Sequence, residues 1–133
     1  MAIDYNALAI PKGPSRFERA KVKDLSAKKQ EREVFALVTT RDESCCRVCG
    51  KWCNPRAIGL LQKAHHHHLV YRSRGGEDTT ANVCLLCADC HEDEHAGRLQ
   101  LSGDADERDP AGRLCGVKVE KPIEGGFEVI AWT

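Results

Sequence analysis

The residues best suited to chemistry are histidines and cysteines concentrated between residues 64 and 95. All six histidines of the chain lie there, in an unbroken run at residues 65–68 and as the pair His91 and His95. On a helix, the i, i+4 spacing of the pair puts both imidazoles on one face, where they can hold one metal ion. An imidazole with an ordinary pKa of about 6.5 can also take a proton from water at neutral pH. No apolar core requires this set of side chains, so the segment is interpreted as a functional site.

Four of the eight cysteines form two C-x-x-C pairs, a spacing that lets two thiolates reach one Zn²⁺. The first pair is Cys46 and Cys49, and the second is Cys87 and Cys90. Together they predict a Cys₄ site for a structural Zn²⁺, which would add folding free energy to a small domain with few aromatic residues. Paired spacing beside histidines, without an export signal, favours metal binding over disulfides.

Three further cysteines lie near these pairs. Cys84 stands three residues before Cys87, so spacing alone allows it to replace one of the ligands. Cys45 and Cys53 lie outside the C-x-x-C spacing and are predicted to be bystanders. An iron–sulfur cluster is a chemical alternative to zinc, but no feature of a redox partner accompanies the cysteines.

Three elements must position these side chains. Residues 66–70 are predicted to form a strand and residues 72–80 a loop, in which two successive glycines allow a tight turn. A helix is predicted to begin near Asn82, because asparagine is a favoured N-cap residue, and to carry His91 and His95. A strand alternates its side chains, so adjacent histidines of the run cannot both point straight into one site from an ideal strand.

The order of these residues resembles the HNH endonucleases of the ββα-metal class. The matching patterns are H-H-L-x-x-R-S-x-G-G, from His67, and N-V-x-L-L-C-x-x-C-H-x-x-x-H, from Asn82. The resemblance covers residues 45–96 of the 133 and leaves both flanks unexplained. It implies a ββα-metal core that hydrolyses DNA phosphodiester bonds by water attack, leaving a 5′-phosphate and a 3′-hydroxyl.

The resemblance also implies a role for individual residues. Counted back from the Gly-Gly pair, His68 would be the general base, and Asn82 would brace the loop that carries it. A catalytic divalent ion, which could be Mg²⁺, Mn²⁺, Ni²⁺ or Zn²⁺, would be bound by three histidines. These ligands would be His67, His91 and His95.

Several residues fall outside the family pattern or play no part in it. His65 and His66 would be spare, and a tag or a surface cluster is the alternative interpretation of the whole run. Cys84 occupies an ordinary apolar position of the pattern and is therefore expected in the core. Tyr71 stands where family members often have proline, a departure that concerns the geometry of the loop and not its chemistry.

Positively charged side chains are candidates for contacts with phosphates. Arg72 and Arg74 are expected to reach phosphate oxygens, although loop arginines can equally be solvated. Residues 16–33 predict a basic helix, which would either lie along a DNA backbone or be a solvated surface helix. Its candidate contacts are Lys21, Lys23, Lys28 and Lys29. The apolar residues 34–40 would be the buried end of that helix or a short core segment.

The C-terminal region predicts β structure after an acidic loop. Residues 117–120 and 127–132 alternate apolar and polar side chains and predict a terminal β-hairpin. Phe127 and Trp132 are expected to cover the core. The acidic residues between 104 and 109 have loose spacing, which favours a polar loop over a further metal site.

Charge is balanced over the chain but not along it. The chain has 20 Lys and Arg and 20 Asp and Glu, yet residues 1–80 have a net charge of +6 and residues 81–133 a net charge of −6. A neutral total therefore does not exclude an anionic partner such as DNA. No apolar run approaches the roughly 20 residues that span a bilayer, and no signal peptide is apparent, so a cytoplasmic protein without a membrane partner is expected.

These observations predict an α+β fold with a small ββα-metal core, a structural zinc site, an N-terminal basic helix and a C-terminal β-hairpin. The expected divisions are an arm at residues 1–40, a nuclease domain at 41–101, and an acidic loop with hairpin at 102–133. The predicted function is a metal-dependent endonuclease that nicks or cuts DNA. The main alternative is a non-catalytic zinc module that binds DNA or a protein, and RNA or branched DNA are alternative substrates. A homodimer would let one site per chain cut both strands, and the small size is common among phage and prophage members of the family.

Overall fold

The computed structural model describes residues 16–54 and 63–133, and the fold is mixed α and β. Within these residues, the regular elements are two helices and five strands. In chain order they are α1 (Arg16–Arg41), β1 (His65–His68), β2 (Val83–Leu86), α2 (Ala88–His95), β3 (Gln100–Gly103), β4 (Val117–Ile123) and β5 (Gly126–Trp132). Short 3₁₀ turns lie at Arg72–Arg74 and Thr80–Asn82. The α+β class and the C-terminal hairpin are as the sequence predicted.

The centre of the fold is the antiparallel pair β1–β2, followed directly by α2. All four residues of β2 are buried, and they alternate between two apolar clusters. Val83 and Leu85 face α1, whereas Cys84 and Leu86 pack with residues of β3 and β4. A short strand buried on both faces has a continuous apolar sequence without polar alternation. Residues 83–86 form such a strand, so the helix predicted to begin near Asn82 begins only at Ala88. Cys87 is its N-cap residue, and its sulfur accepts a hydrogen bond from the Cys90 backbone N–H.

Helix α1 runs without interruption into the apolar residues that follow its basic part. Val34 and Val38, one turn apart, are buried against Val83 and Leu85 of β2. Residues 24–30 are exposed, so this part of the helix lies outside the core. Of the two interpretations of residues 34–40, the structure supports the buried end of the helix.

A buried network of charges joins the end of α1 to the first cysteine pair and to the last residue. Arg41 donates two hydrogen bonds to the Asp42 carboxylate, and Arg47 donates a third at 3.1 Å. The Leu85 backbone N–H also donates to Asp42, at 2.9 Å. Arg47 reaches further to the Thr133 carbonyl oxygen at 2.6 Å. The end of α1, the first cysteine pair, β2 and the last residue are therefore tied to the Asp42 carboxylate or to one of its arginines.

The second sheet has the antiparallel order β3–β4–β5, with β5 at its edge. Its buried face belongs to Leu101, Val117 and Val119, which join the cluster around Cys84 and Leu86. The expectation that Phe127 and Trp132 cover the core is wrong, since they are 56% and 60% exposed. The core is closed by β3 and β4, and the part of the hairpin beyond Val119 extends past it into solvent.

Candidate metal centre and active site

The two C-x-x-C pairs come together in one place. One sulfur from each of Cys46, Cys49, Cys87 and Cys90 lies within 4.8 Å of the others. The Cys49 and Cys87 sulfurs are 3.7 Å apart, close to the edge of a tetrahedron with Zn–S bonds of about 2.3 Å. The first pair lies on the turn after α1, and the second pair spans the start of α2. The geometry and the four-thiol donor set fit a tetrahedral zinc site.

The pKa values of the thiols in this cluster shift in opposite directions. Burial by itself would raise the pKa of Cys46, but hydrogen bonds from the backbone of Cys49 and Cys87 outweigh it and lower that pKa. Burial, followed by the repulsion of the Cys46 thiolate, raises the pKa of Cys90. Four thiolates this close repel one another, so full ionisation requires a cation among them.

The remaining cysteines near the cluster do not join it. Cys84 is fully buried in the apolar core, as predicted, and burial raises its pKa to about 12. Cys53 is also buried, and burial together with the neighbouring sulfurs raises its pKa to about 11. The Cys45 sulfur instead contacts the Glu43 carbonyl oxygen at 3.4 Å. Among the described residues, the four-cysteine group contains none of these three.

A second group of donors is formed by three histidines from two elements. One ring nitrogen from each of His67, His91 and His95 lies within 4.8 Å of the others. His67 belongs to β1, and the other two lie one turn apart on α2, where their Nε2 atoms are 3.1 Å apart. The Nε2 atom of His67 is buried and has no hydrogen-bond partner among the described residues. A buried ring nitrogen without a partner is costly, and a cation at this point would satisfy it.

Burial keeps the His67 and His91 rings in the form that binds metals. The pKa of His67 is lowered to about 4, first by burial and then by the charges of His91 and His95. The pKa of His91 is likewise lowered to about 4, by burial and then by His65 and His95. Neutral imidazole is the form that donates a lone pair to a metal. The donor set therefore fits a divalent ion at neutral pH.

Glu94 and Tyr71 border the histidine group, and the sequence analysis singled out neither as a site residue. A Glu94 carboxylate oxygen lies 3.6 Å from His67 Nε2. The Tyr71 hydroxyl donates to the same carboxylate, with oxygen distances of 2.6 and 2.7 Å. Burial and then the Glu94 charge raise the pKa of Tyr71 to about 12. The only sequence signal for Glu94 is its position three residues after His91, on the same helix face.

His68 lies on the face of β1 opposite to His67. Its Nε2 atom is 2.7 Å from an Asp78 carboxylate oxygen, and its ring meets the Phe35 ring edge-on at 6.2 Å. The alternation expected of a strand is therefore present. His67 and His68 nevertheless line one open cleft, together with Tyr71 and Arg72.

Asn82 spans the loop between the two strands. Its side-chain oxygen accepts a hydrogen bond from the Val70 N–H at 2.8 Å, and its amide donates to the carbonyl oxygens of Val70 and Glu77 at 3.0 Å each. It is not the N-cap of α2, which begins six residues later. The loop is closely packed as well, since a Cβ added at Gly76 would lie 1.7 Å from the Val70 carbonyl oxygen.

The other histidines of the run have packing roles. The His65 ring stacks on the His91 ring at 4.5 Å. The His66 ring stacks on the Phe35 ring at 4.2 Å, and its Nε2 atom lies 2.9 Å from the Thr39 hydroxyl. Neither ring belongs to the three-histidine group, and His66 instead joins β1 to α1.

The basic residues predicted to contact phosphates differ in their partners within the structure. Arg72 is paired with Asp78 and Glu31, and the Arg74 guanidinium lies 5.6 Å from the centre of the Tyr71 ring. Lys28 and Lys29 are exposed on α1, where Lys28 pairs with Asp24. Lys21 and Lys23 lie on the same helix, but their side chains are outside the described part of the structure.

Comparison with known families bears on this arrangement. Residues 46–97 match the family model for HNH endonucleases. This segment of the chain is therefore similar to an HNH endonuclease domain. The HNH match begins at Cys46 and extends past His95, so it includes both cysteine pairs and all six histidines. No curated protein and no solved structure matches the chain significantly.

Two further findings describe the surroundings of the HNH segment. Helix α1 lies before the matched residues, and β3, β4 and β5 lie after them. Within the residues described, no helix is both long and apolar enough to cross a membrane.

Proposed function

We propose that this chain is a metal-dependent endonuclease that hydrolyses phosphodiester bonds in DNA. The observation that carries the proposal is the convergence of three imidazoles around the buried, unpartnered Nε2 atom of His67, with His68 in the same cleft. A zinc module that only binds a partner has no need of a second donor group beside its Cys₄ site. The match to HNH endonucleases supports the same activity.

Each group has a separate role in the proposal. His67, His91 and His95 hold a divalent ion, which when bound neutralises negative charge that develops on the phosphate. His68 accepts the proton of the attacking water, and Asn82 holds the loop beside it. Nitrogen donors suit Zn²⁺, Ni²⁺ or Mn²⁺ better than Mg²⁺, which prefers oxygen ligands. A structural Zn²⁺ at the Cys₄ site keeps the first cysteine pair fixed against α2.

Contacts with DNA are proposed for basic side chains on one loop and one helix. Arg72 borders the cleft, and Arg74 follows it on the same 3₁₀ turn. The part of α1 that precedes Val34 would extend the contact along the DNA backbone through Lys21, Lys23, Lys28 and Lys29. The expected cytoplasmic location, homodimer and phage origin rest on the sequence alone.

The test is conversion of supercoiled plasmid by purified, zinc-loaded protein with Mg²⁺, Mn²⁺, Ni²⁺, Zn²⁺ or EDTA. We expect nicked or linear product with at least one divalent ion, no product with EDTA, and loss of cleavage by at least about 100-fold in His68→Ala. His66→Ala is the matched control, because His66 shares the strand face of His68 but contacts α1; it should retain cleavage.

Two results would contradict the proposal in different ways. Cleavage that persists in His68→Ala would show that another histidine is the base. A folded, zinc-loaded protein that cuts with none of the ions would favour the binding module, and RNA and branched DNA should then be offered as substrates.

A further inference from the structure

His68 has a carboxylate partner that the proposed reaction has not yet used. Its Nε2 atom lies 2.7 Å from an Asp78 oxygen, and the two side chains are 12% and 28% exposed. Burial by itself would raise the pKa of Asp78, but hydrogen bonds from His68 and Arg72 outweigh it and hold that pKa below its usual range. An ionised carboxylate only accepts hydrogen bonds, so Nε2 must be the donor and must carry a proton.

Asp78 is itself held in place from two sides. Arg72 donates to the same carboxylate oxygen through Nε at 3.0 Å and Nη2 at 2.7 Å, and Nη2 also pairs with Glu31 of α1 at 2.9 Å. The backbone next to Asp78 is fixed by the hydrogen bond from Asn82 to the Glu77 carbonyl oxygen. The acceptor therefore has a defined position relative to β1, which carries His68.

The geometry points to Asp78 as a positioning residue that fixes both the tautomer and the orientation of the His68 ring, leaving Nδ1 as the atom that accepts the proton from water. With Nε2–H committed to Asp78, a neutral ring has its free lone pair on Nδ1. Water attack then transfers one proton to Nδ1 while the new O–P bond forms. The P–O3′ bond breaks with its electron pair left on the 3′ oxygen, which takes a proton from solvent water. This inference rests on the proposed function, in which His68 is the base.

An ion pair that only stabilises the loop would have different consequences. If the Arg72–Asp78 pair only stabilises the loop, its loss would lower the thermal stability and leave the tautomer of His68 unchanged. Loss of a positioning group would leave the His68 ring free to rotate and to exchange tautomers. Loss of the outer partner of a metal-bound histidine typically costs about 10- to 100-fold in activity, and a loss of the same order is expected for the partner of a histidine base.

The first measurement is ¹⁵N NMR of histidine-labelled, zinc-loaded protein at pH 7.5, with the His68 signals assigned by their loss in His68→Ala. We expect the Nε2–H tautomer in the unmodified protein and a mixture of tautomers in Asp78→Ala. Asp109→Ala is the matched control, because Asp109 is a partly buried loop carboxylate, 23% exposed, paired with Arg113. An Nδ1–H tautomer in the unmodified protein, or an unchanged tautomer in Asp78→Ala, would overturn the inference.

The second measurement separates turnover from DNA binding. We expect Asp78→Ala to lower kcat by about 10- to 100-fold with KM for DNA changed about twofold or less. Arg72→Ala should raise KM and also lower kcat, because Arg72 is a proposed phosphate contact and holds the Asp78 carboxylate in place. Asp78→Asn retains an oxygen acceptor and should recover part of kcat and most of the Nε2–H tautomer; it also carries the test if the alanine variant fails to fold.

The two hypotheses fail separately. If the unmodified protein cuts no DNA, the proposed function fails, and the tautomer still shows whether Asp78 fixes the ring. If the unmodified protein cuts DNA and Asp78→Ala cuts it with the same kcat, the inference about Asp78 is wrong and the nuclease stands.

Discussion

Side chains of the histidine group and of the Cys₄ group differ in whether they must lose a proton before they bind a metal ion. Burial holds His67 neutral at pH 7, so it can bind a cation without losing a proton. The Cys₄ group must release protons, since burial and neighbouring thiolates raise the pKa of Cys90. Zinc loading is therefore coupled to proton release, whereas binding at the histidine group is much less so.

Glu94 should strengthen metal binding at the histidine group. Its carboxylate is about nine-tenths buried beside His67 and is oriented by the Tyr71 hydroxyl, so its negative charge acts on a bound cation with little screening. We expect Glu94→Gln to weaken Mn²⁺ binding by about 10-fold, measured by calorimetry on zinc-loaded protein. Glu92→Gln, an exposed change on the same helix, should leave the affinity unaltered, and an equal loss in both variants would contradict the role.

The motif predicted the two groups of side chains that could hold a metal because ligand spacing is local in the sequence. The four cysteines lie in two short pairs, and two of the histidines are one helical turn apart. Asp78, Glu94 and Tyr71 were not predicted, because their contacts arise only when the loop folds back across β1 and α2. The face of β1 on which each histidine lies follows from alternation, but which face meets α2 depends on tertiary packing.

At the scale of elements, the strand β2 was the feature that sequence reasoning missed. The run from Val83 to Leu86 lacks polar alternation because it is covered on one side by α1 and on the other by β3 and β4. Its neighbour Asn82 is a residue type favoured at helix N-caps. This local preference predicted a helix, whereas the pairing with β1, which is distant in sequence, makes the segment a strand. The hairpin β4–β5 was predictable because its alternation and turn glycines are both local signals.

Asn82 should be the main brace of the loop between β1 and β2. Its side chain makes three hydrogen bonds to backbone groups, and none of these groups is paired by the strands. We expect Asn82→Ala to reduce the free energy of unfolding by about 1–3 kcal/mol, seen as a lower Tm, and to reduce cleavage. Asn82→Asp retains the acceptor for Val70 and should lose less stability, whereas an unchanged Tm in Asn82→Ala would contradict the brace.

The turn carrying the first cysteine pair and the start of α2 should depend on zinc. Cys90→Ala removes one of four sulfurs that lie within 4.8 Å of one another, so we expect loss of about one zinc per chain and loss of cooperative folding. Metal content and near-ultraviolet circular dichroism are the measurements. Cys45→Ser, next to Cys46 but outside the cluster, should retain both, and a folded Cys90→Ala protein with full zinc would contradict the Cys₄ assignment.

At the scale of the whole molecule, the structure is joined by charges as well as by apolar contacts. The Asp42 side chain is fully buried and accepts from Arg41, Arg47 and the Leu85 backbone. Through Arg47 the same network reaches the Thr133 carbonyl oxygen. Chain segments far apart in sequence therefore share one buried carboxylate. The predicted division into three parts, with boundaries after residues 40 and 101, stays a prediction.

Removing the Asp42 carboxylate should destabilise the whole fold. Buried Arg47 would lose its counter-charge and Arg41 would lose one of two, and breaking a buried pair typically costs about 3–5 kcal/mol. We expect Asp42→Ala to lower the midpoint of urea unfolding sharply. Asp24→Ala, which removes an exposed carboxylate paired with Lys28, should shift it little. Similar effects of the two substitutions would contradict the role of the network.

The four histidines of β1 are identical, so the run contains no information about its own pairing frame. A slip of one residue would exchange His67 and His68 between faces while leaving the composition of the strand unchanged. The frame is marked from downstream, where the Leu69 and Val70 N–H groups both bond to Asn82. Counted from that mark, a histidine gained or lost at the upstream end would leave His67 and His68 in place, so the repeat could change in length without moving the two rings of the proposed site.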